Sequence, residues 1–154
     1  MLRILALLRH GLASGQSAGS DLLPEGAAYL RHLGAKLEAE GWRPAVILTS
    51  PYLRARASAA VLADSLGCDT PLVALDELVP ESDPDAALAA IGAAAPLATP
   101  VLVVAHLPLV GRLAQELVGE DPGFSPGTLV EIGRDDDGTA RLIRRIGPHD
   151  LAGI

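Results

Sequence analysis

Short apolar runs alternate with amphipathic stretches along most of the chain, and the two kinds of segment differ in period. Ile4 to Leu8, Ala45 to Thr49 and Val101 to Ala105 are almost continuously apolar, and each ends where polar and turn-forming residues begin. Such runs predict strands buried on both faces, as in a mostly parallel sheet covered by helices. Leu72 to Leu75 predicts a shorter strand. Between the runs, Pro24 to Glu40 places Leu30, Leu33 and Leu37 at helical spacing, with Arg31, Lys36 and Glu38 on other faces. Tyr52 to Leu66 repeats that pattern with Leu53, Ala57, Val61 and Leu62. Asp83-Pro84-Asp85 reads as a helix start, a capping carboxylate followed by proline at the first helical position, and leads into Leu88 and Ile91. Pro108 to Val118 predicts a fourth helix. Near the end, Leu129 to Gly133 and Arg141 to Ile146 flank Asp135-Asp136-Asp137-Gly138, the pattern of an antiparallel hairpin with a tight acidic turn. Those aspartates lack the downstream glutamate and the spacing of a calcium loop. The expected fold is therefore α/β, three layers (α/β/α) around a mostly parallel central sheet with a C-terminal antiparallel hairpin. No repeat, low-complexity segment or linker divides the chain, so residues 1–154 read as one domain.

Composition narrows the function classes. The core must be aliphatic and alanine-rich, because hydrophobic residues make up 49% of the chain but aromatics only 3%. A formal net charge of -7, with no cluster of Lys or Arg, argues against a nucleic-acid partner, which needs a basic footprint. No run approaches the length of a membrane span. The apolar N-terminal stretch stops at Arg9-His10-Gly11, too short for the core of a signal peptide. The lone Cys68 precludes an intrachain disulfide and reads as a small apolar filler in a reducing compartment, so the expected location is cytoplasmic.

Candidate chemistry sits where the strands end. Arg9-His10-Gly11 follows the first strand, Thr49-Ser50-Pro51-Tyr52-Leu53-Arg54 the second, and Ala105-His106-Leu107-Pro108 the third. In open α/β sheets that edge is where ligands bind. Gly11 permits a sharp turn and close approach of backbone to a ligand. Ser50 and Pro51 read as a helix cap and first helical residue, which puts Arg54 in the first turn beside unpaired N–H groups. Together Arg9, Arg54, His10 and His106 would make a cationic pocket in an acidic protein, suited to a phosphoryl dianion, whose oxygens the arginine fork matches in pairs. His32 and His149 read as surface residues, and so do Arg56 and Arg112. No carboxylate or thiolate flanks His10 or His106 at metal-ligand spacing.

These three segments, in this order and at comparable spacing over nearly the whole chain, resemble the histidine phosphatase superfamily. The stretch His106-Leu107-Pro108-Leu109-Val110-Gly111 and the short length resemble its small SixA-type branch, whereas the mutase branch usually has His-Gly-Gly there. The resemblance implies a phosphoglycerate mutase-like fold. It implies that His10 is a nucleophile that becomes transiently phosphorylated, that Arg9, Arg54 and His106 hold the phosphoryl oxygens, and that no metal or other cofactor takes part. Leu75-Asp76-Glu77 matches the stretch that carries the leaving-group acid in larger relatives, so Glu77 is the candidate acid. Glu77 reads equally as a solvated loop carboxylate. Ala13 departs from the pattern, since larger relatives often have a polar residue near the phosphate there; Gln16 is a possible substitute. The implied substrate is phosphohistidine on a phosphotransfer domain or phosphocarrier protein. A small phosphoester, such as a sugar or nucleotide phosphate, is the alternative, and a non-catalytic phosphate-binding scaffold ranks last.

Overall fold

The computed structural model describes residues 1–151. Six strands form one sheet: β1 (Arg3–Arg9), β2 (Val46–Thr49), β3 (Leu72–Ala74), β4 (Val101–Ala105), β5 (Leu129–Arg134) and β6 (Ala140–Ile146), in the spatial order β3-β2-β4-β1-β5-β6. The first four run parallel, and β5 pairs antiparallel with both β1 and β6. Four helices cover the sheet: α1 (Pro24–Ala39), α2 (Leu53–Leu66), α3 (Pro84–Ala94) and α4 (Leu109–Val118). The fold is the mixed α/β arrangement that the pattern predicts. None of these helices is long and apolar enough to cross a membrane.

Strand alternation divides the core into two halves. Ala6 and Leu8 of β1, with Ile47, Leu102 and Val104, meet Leu30, Leu33 and Leu37 of α1 and Ala55, Ala59 and Leu62 of α2. Leu5 and Leu7, with Leu48, Val101 and Val103, meet Ala87 and Ile91 of α3 and Leu109, Val110 and Leu113 of α4. Both faces of the central strands are thus covered, which is why the sequence shows no polar alternation there. At the edge, all three residues of β3 are exposed, although they are as apolar as the central runs. The hairpin closes as predicted: Gly138 N–H donates to the Asp135 carbonyl, and Gly138 has φ +87°. Asp136 at this turn pairs with the N-terminal ammonium.

A side-chain cap starts one of the four helices. Asp83 accepts from the Ala86 N–H at 3.0 Å with Pro84 in the first turn, as its sequence predicts. Helix α2 differs from expectation. It begins at Leu53, with Tyr52 at the cap position and no side-chain cap, so Ser50 and Pro51 lie before the helix. The Ser50 hydroxyl does accept the Tyr52 N–H, at 3.2 Å, but its other contact is with a distant residue described below. Arg54 still falls in the first turn.

The packing around Gly11 gives its missing side chain a role other than the one its sequence context suggests. Its backbone is not left-handed; instead a Cβ there would meet Leu22 Cδ1 at 2.8 Å and Leu30 Cδ1 at 3.1 Å. On the opposing side a Cβ on Gly26 of α1 would lie 2.6 Å from the Leu12 carbonyl oxygen. Two glycines therefore let α1 lie directly against the chain leaving β1.

Candidate active site

Strand register places the three predicted segments side by side. Arg9 pairs with Ala105 across β1 and β4, so His10 and His106 are the next residues on neighbouring parallel strands. His10 N–H donates to the Ala105 carbonyl at 3.0 Å, and Ser50 N–H donates to the Val104 carbonyl at 3.0 Å. His10, His106 and Ser50 thus stand at the same, C-terminal, end of three adjacent strands. The ring centroids of His10 and His106 are 5.1 Å apart.

The first turn of α2 closes the cluster. Arg54, only 2% exposed, donates from Nε to His10 Nε2 at 3.2 Å and from one terminal nitrogen to the Ser17 carbonyl at 2.6 Å. Its guanidinium lies 5.1 Å from the centroid of the Tyr52 ring, and that ring meets His106 edge-on, also at 5.1 Å. Arg9 donates to the Phe124 carbonyl at 2.9 Å. Among the described residues neither Arg9 nor Arg54 pairs with a carboxylate. In a chain of net charge -7, that leaves two partly or wholly buried cations held by neutral backbone oxygens. Such a site favours an anion, because the cost of burying the cations is already met by the fold.

His10 has a fixed tautomer. Its Nδ1 lies 2.7 Å from the Gly11 carbonyl, which can only accept, so Nδ1 carries the proton and Nε2 presents a lone pair. Nε2 is the nitrogen that receives the Arg54 N–H. Burial pushes the His10 pKa down to about 4; the bond to Gly11 opposes this, and the charges of Arg54 and Arg9 add to it. Burial, followed by His10, Arg54 and Arg9, brings His106 down to about 3. Both rings are neutral at neutral pH.

The sequence-predicted set divides in two. Arg9, His10, Arg54 and His106 come together. Glu77 does not join them directly: it lies exposed on a single helical turn, Asp76–Leu78, and makes no side-chain hydrogen bond among the described residues. A cleft of about 330 Å³ opens beside Arg54, lined by Gln16, Tyr52, Val79, Pro80, Glu81 and Leu107. Gln16 therefore borders the site, and Glu81 is the carboxylate in its wall. Ala13 is taken up in a backbone bridge to Leu22. Cys68 is half-buried, with its thiol 3.7 Å from the Ala63 carbonyl.

Two serines escaped the sequence reading as site residues. Ser58, fully buried, accepts from Gly11 N–H at 2.9 Å and donates to the Arg54 carbonyl at 2.7 Å, tying the His10 turn to α2. A polar residue one helical turn after Arg54 on the apolar face was its only signal. Ser50, also fully buried, has its hydroxyl 2.7 Å from His106 Nε2.

Residues 5–79 match the model of the histidine phosphatase superfamily (branch 1). The chain is 29% identical over 151 residues to the phosphohistidine phosphatase SixA of Escherichia coli K12, covering 94% of each. It superposes on a structure of the protein histidine phosphatase SixA complexed with tungstate with a TM-score of 0.88, at 27% identity, covering 96% of this chain and 99% of that one. A mycobacterial glucosyl-3-phosphoglycerate phosphatase shares the fold, with a TM-score of 0.68 at 18% identity over 92% of this chain and 97% of that one. The chain is thus similar to histidine phosphatases over nearly its whole length, and this similarity supports a phosphatase activity. In length and architecture it is similar to SixA.

Proposed function

We propose that the enzyme removes phosphate from phosphohistidine on a signalling or phosphocarrier protein, through a covalent intermediate on His10. The observation that carries this reading is the neutral His10, with Nδ1 bound to Gly11 and Nε2 turned to Arg54. An imidazole so held is a competent nucleophile without a separate base. Nε2 attacks the phosphorus, a new P–N bond forms, and the P–N bond to the substrate imidazole breaks. The departing imidazole takes up a proton. Arg9, Arg54 and His106 offset charge on the equatorial oxygens, the Arg54 Nε–H passing from His10 to a phosphoryl oxygen. Water then attacks the phosphoenzyme, releasing inorganic phosphate and restoring His10.

Access to the site supports a macromolecular substrate. Leu12 and Leu107, two residues after His10 and one after His106, are 46% and 38% exposed and can rest on a protein surface. The chain from Asp76 to Pro100 holds only the single turn Asp76–Leu78 and α3, with no insertion to roof the cleft. Glu77 is the proposed leaving-group acid for esters. An imidazole leaving group is far less basic than an alkoxide, so phosphohistidine cleavage needs that acid less. The lone cysteine fits a reducing, cytoplasmic setting.

The test compares phosphate release from a phosphohistidine-bearing phosphocarrier protein and from p-nitrophenyl phosphate. The expected result is strong preference for the protein, with Glu77→Gln slowing ester turnover more than protein dephosphorylation. Equal or better turnover of the ester would replace this reading with a small-molecule phosphomonoesterase. Vanadate binding without turnover of either substrate would indicate a phosphate-binding scaffold.

The pH profile follows from the His10 environment. The nucleophile must be neutral, and its folded pKa of about 4 lies well below that of a free imidazole. The acid limb of kcat/KM should therefore fall near pH 4 rather than 6.5, with rates level between pH 5 and 7 and dropping about tenfold per unit well below the pKa. A limb centred near 6.5 would mean that His10 is not the titrating nucleophile.

A further inference from the structure

Ser50 lies outside the set of residues expected to touch a phosphoryl group, yet its hydroxyl makes the 2.7 Å contact to His106 Nε2. Both residues are buried, Ser50 completely and His106 to 1% exposure. The same hydroxyl accepts the Tyr52 N–H at 3.2 Å. The other ring nitrogen of His106, Nδ1, is buried and has no partner among the described residues.

Counting protons over these three groups settles their direction. A neutral imidazole carries one proton and one lone pair. If His106 held its proton on Nε2, Ser50 Oγ would accept from both His106 and Tyr52, and its own O–H would be left buried without an acceptor. The Nδ1 lone pair would also be buried and unpartnered, and unsuited to meet an anion. If Ser50 donates to Nε2, the Tyr52 N–H and the Ser50 O–H are both placed, and Nδ1–H remains as the one open donor. The first arrangement leaves two buried groups unpartnered and the second leaves one, and each unmade bond is costly, so the second prevails.

We propose that Ser50 is a positioning residue: its hydroxyl donates to His106 Nε2 and so holds the His106 proton on Nδ1, as the donor offered to a phosphoryl oxygen. The purpose of the contact rests on the reading of His106 as a phosphoryl ligand; the direction of the hydrogen bond does not. Ser50 thereby does for His106 what the Gly11 carbonyl does for His10, with the opposite result. The Gly11 carbonyl takes the proton on Nδ1 and leaves a lone pair, whereas the Ser50 hydroxyl takes the lone pair on Nε2 and leaves a proton. One ring is set to attack and its neighbour to donate.

The experiment is two-bond 15N–1H correlation NMR of the histidine rings, with inhibition by vanadate measured on the same samples, for wild type, Ser50→Ala and Ser50→Thr. In the wild type His106 should show a protonated Nδ1 and a pyridine-like Nε2. Ser50→Ala should shift proton population to Nε2 and weaken vanadate binding about tenfold, the scale of one hydrogen bond to a charged group. Ser50→Thr, which keeps the hydroxyl, should restore both. A wild-type His106 already protonated on Nε2 overturns the proposal without recourse to any variant, as does a Ser50→Ala protein with unchanged tautomer and unchanged inhibition. His106→Ala with undiminished vanadate binding would remove His106 from the phosphoryl site and overturn the purpose assigned to Ser50. His106→Ala that weakens binding while Ser50→Ala does not would overturn this inference alone.

Discussion

Replacement of His10 by alanine is expected to reduce phosphatase turnover by at least about 10⁴-fold, the scale seen when a covalent nucleophile is removed. The expectation follows from the division of labour at the site. The second histidine cannot take over the attack, because its Nε2 is engaged by Ser50. Anion binding should survive better than turnover, since Arg9, Arg54 and His106 remain. His10 is buried at 7% exposure, so thermal melts of the variant must show that the fold survives the truncation. Wild-type protein quenched during turnover should carry a phosphoryl label that is stable to alkali and lost in acid, and His10→Ala should carry none. Retention of turnover within tenfold of wild type, with no label in either protein, would sink the covalent route.

Arg54→Ala is expected to lower kcat/KM by about 10³-fold, the lower end of what an arginine contributes to phosphoryl transfer. Arg54→Lys should recover little of it. A lysine could replace the charge, but not the two directed bonds from Nε to His10 and from the terminal nitrogen to the Ser17 carbonyl. The variant has a second signature. Arg54 is one of the charges that hold the His10 pKa down, after burial, so its loss moves the acid limb of the residual activity upward from about 4. Thermal melts separate this from unfolding, because the side chain is buried against Tyr52. Rates within about threefold of wild type for Arg54→Lys would show that charge alone suffices and that the fork geometry is dispensable.

Much of this was legible in the chain. Local chemistry placed the elements: Asp83-Pro84 starts α3 as read, and Val101–Ala105 is β4 residue for residue. Arg9, His10, Arg54 and His106 were visible as candidate site residues because each lies at or just after the end of an apolar run, and adjacent parallel strands bring those ends together. What was not legible depends on residues far apart in sequence. Ser50 looks like a helix cap, but its hydroxyl is drawn to His106, which belongs to another strand. Gly11 looks like a turn residue, but its lack of a side chain serves the packing of Leu22 and Leu30. The acid remains the least legible part, because Glu77 and Glu81 lie in a segment shaped by turns rather than by periodicity.

The position of β1 within the sheet bears on how the enzyme is made. The strand leading to His10 leaves the ribosome before the other strands of the sheet, but it lies between β4 and β5, which begin at Val101 and Leu129. Until those segments emerge, Leu5 to Leu8 have no strand to pair with on either side. Long-range pairing of this kind is slow and leaves apolar backbone open to wrong partners in the meantime. The proposed nucleophile is thus written early and assembled late. A nascent chain or a prematurely terminated one carries His10 without the complete sheet around it, so neither is expected to act as a phosphatase before synthesis has passed β5.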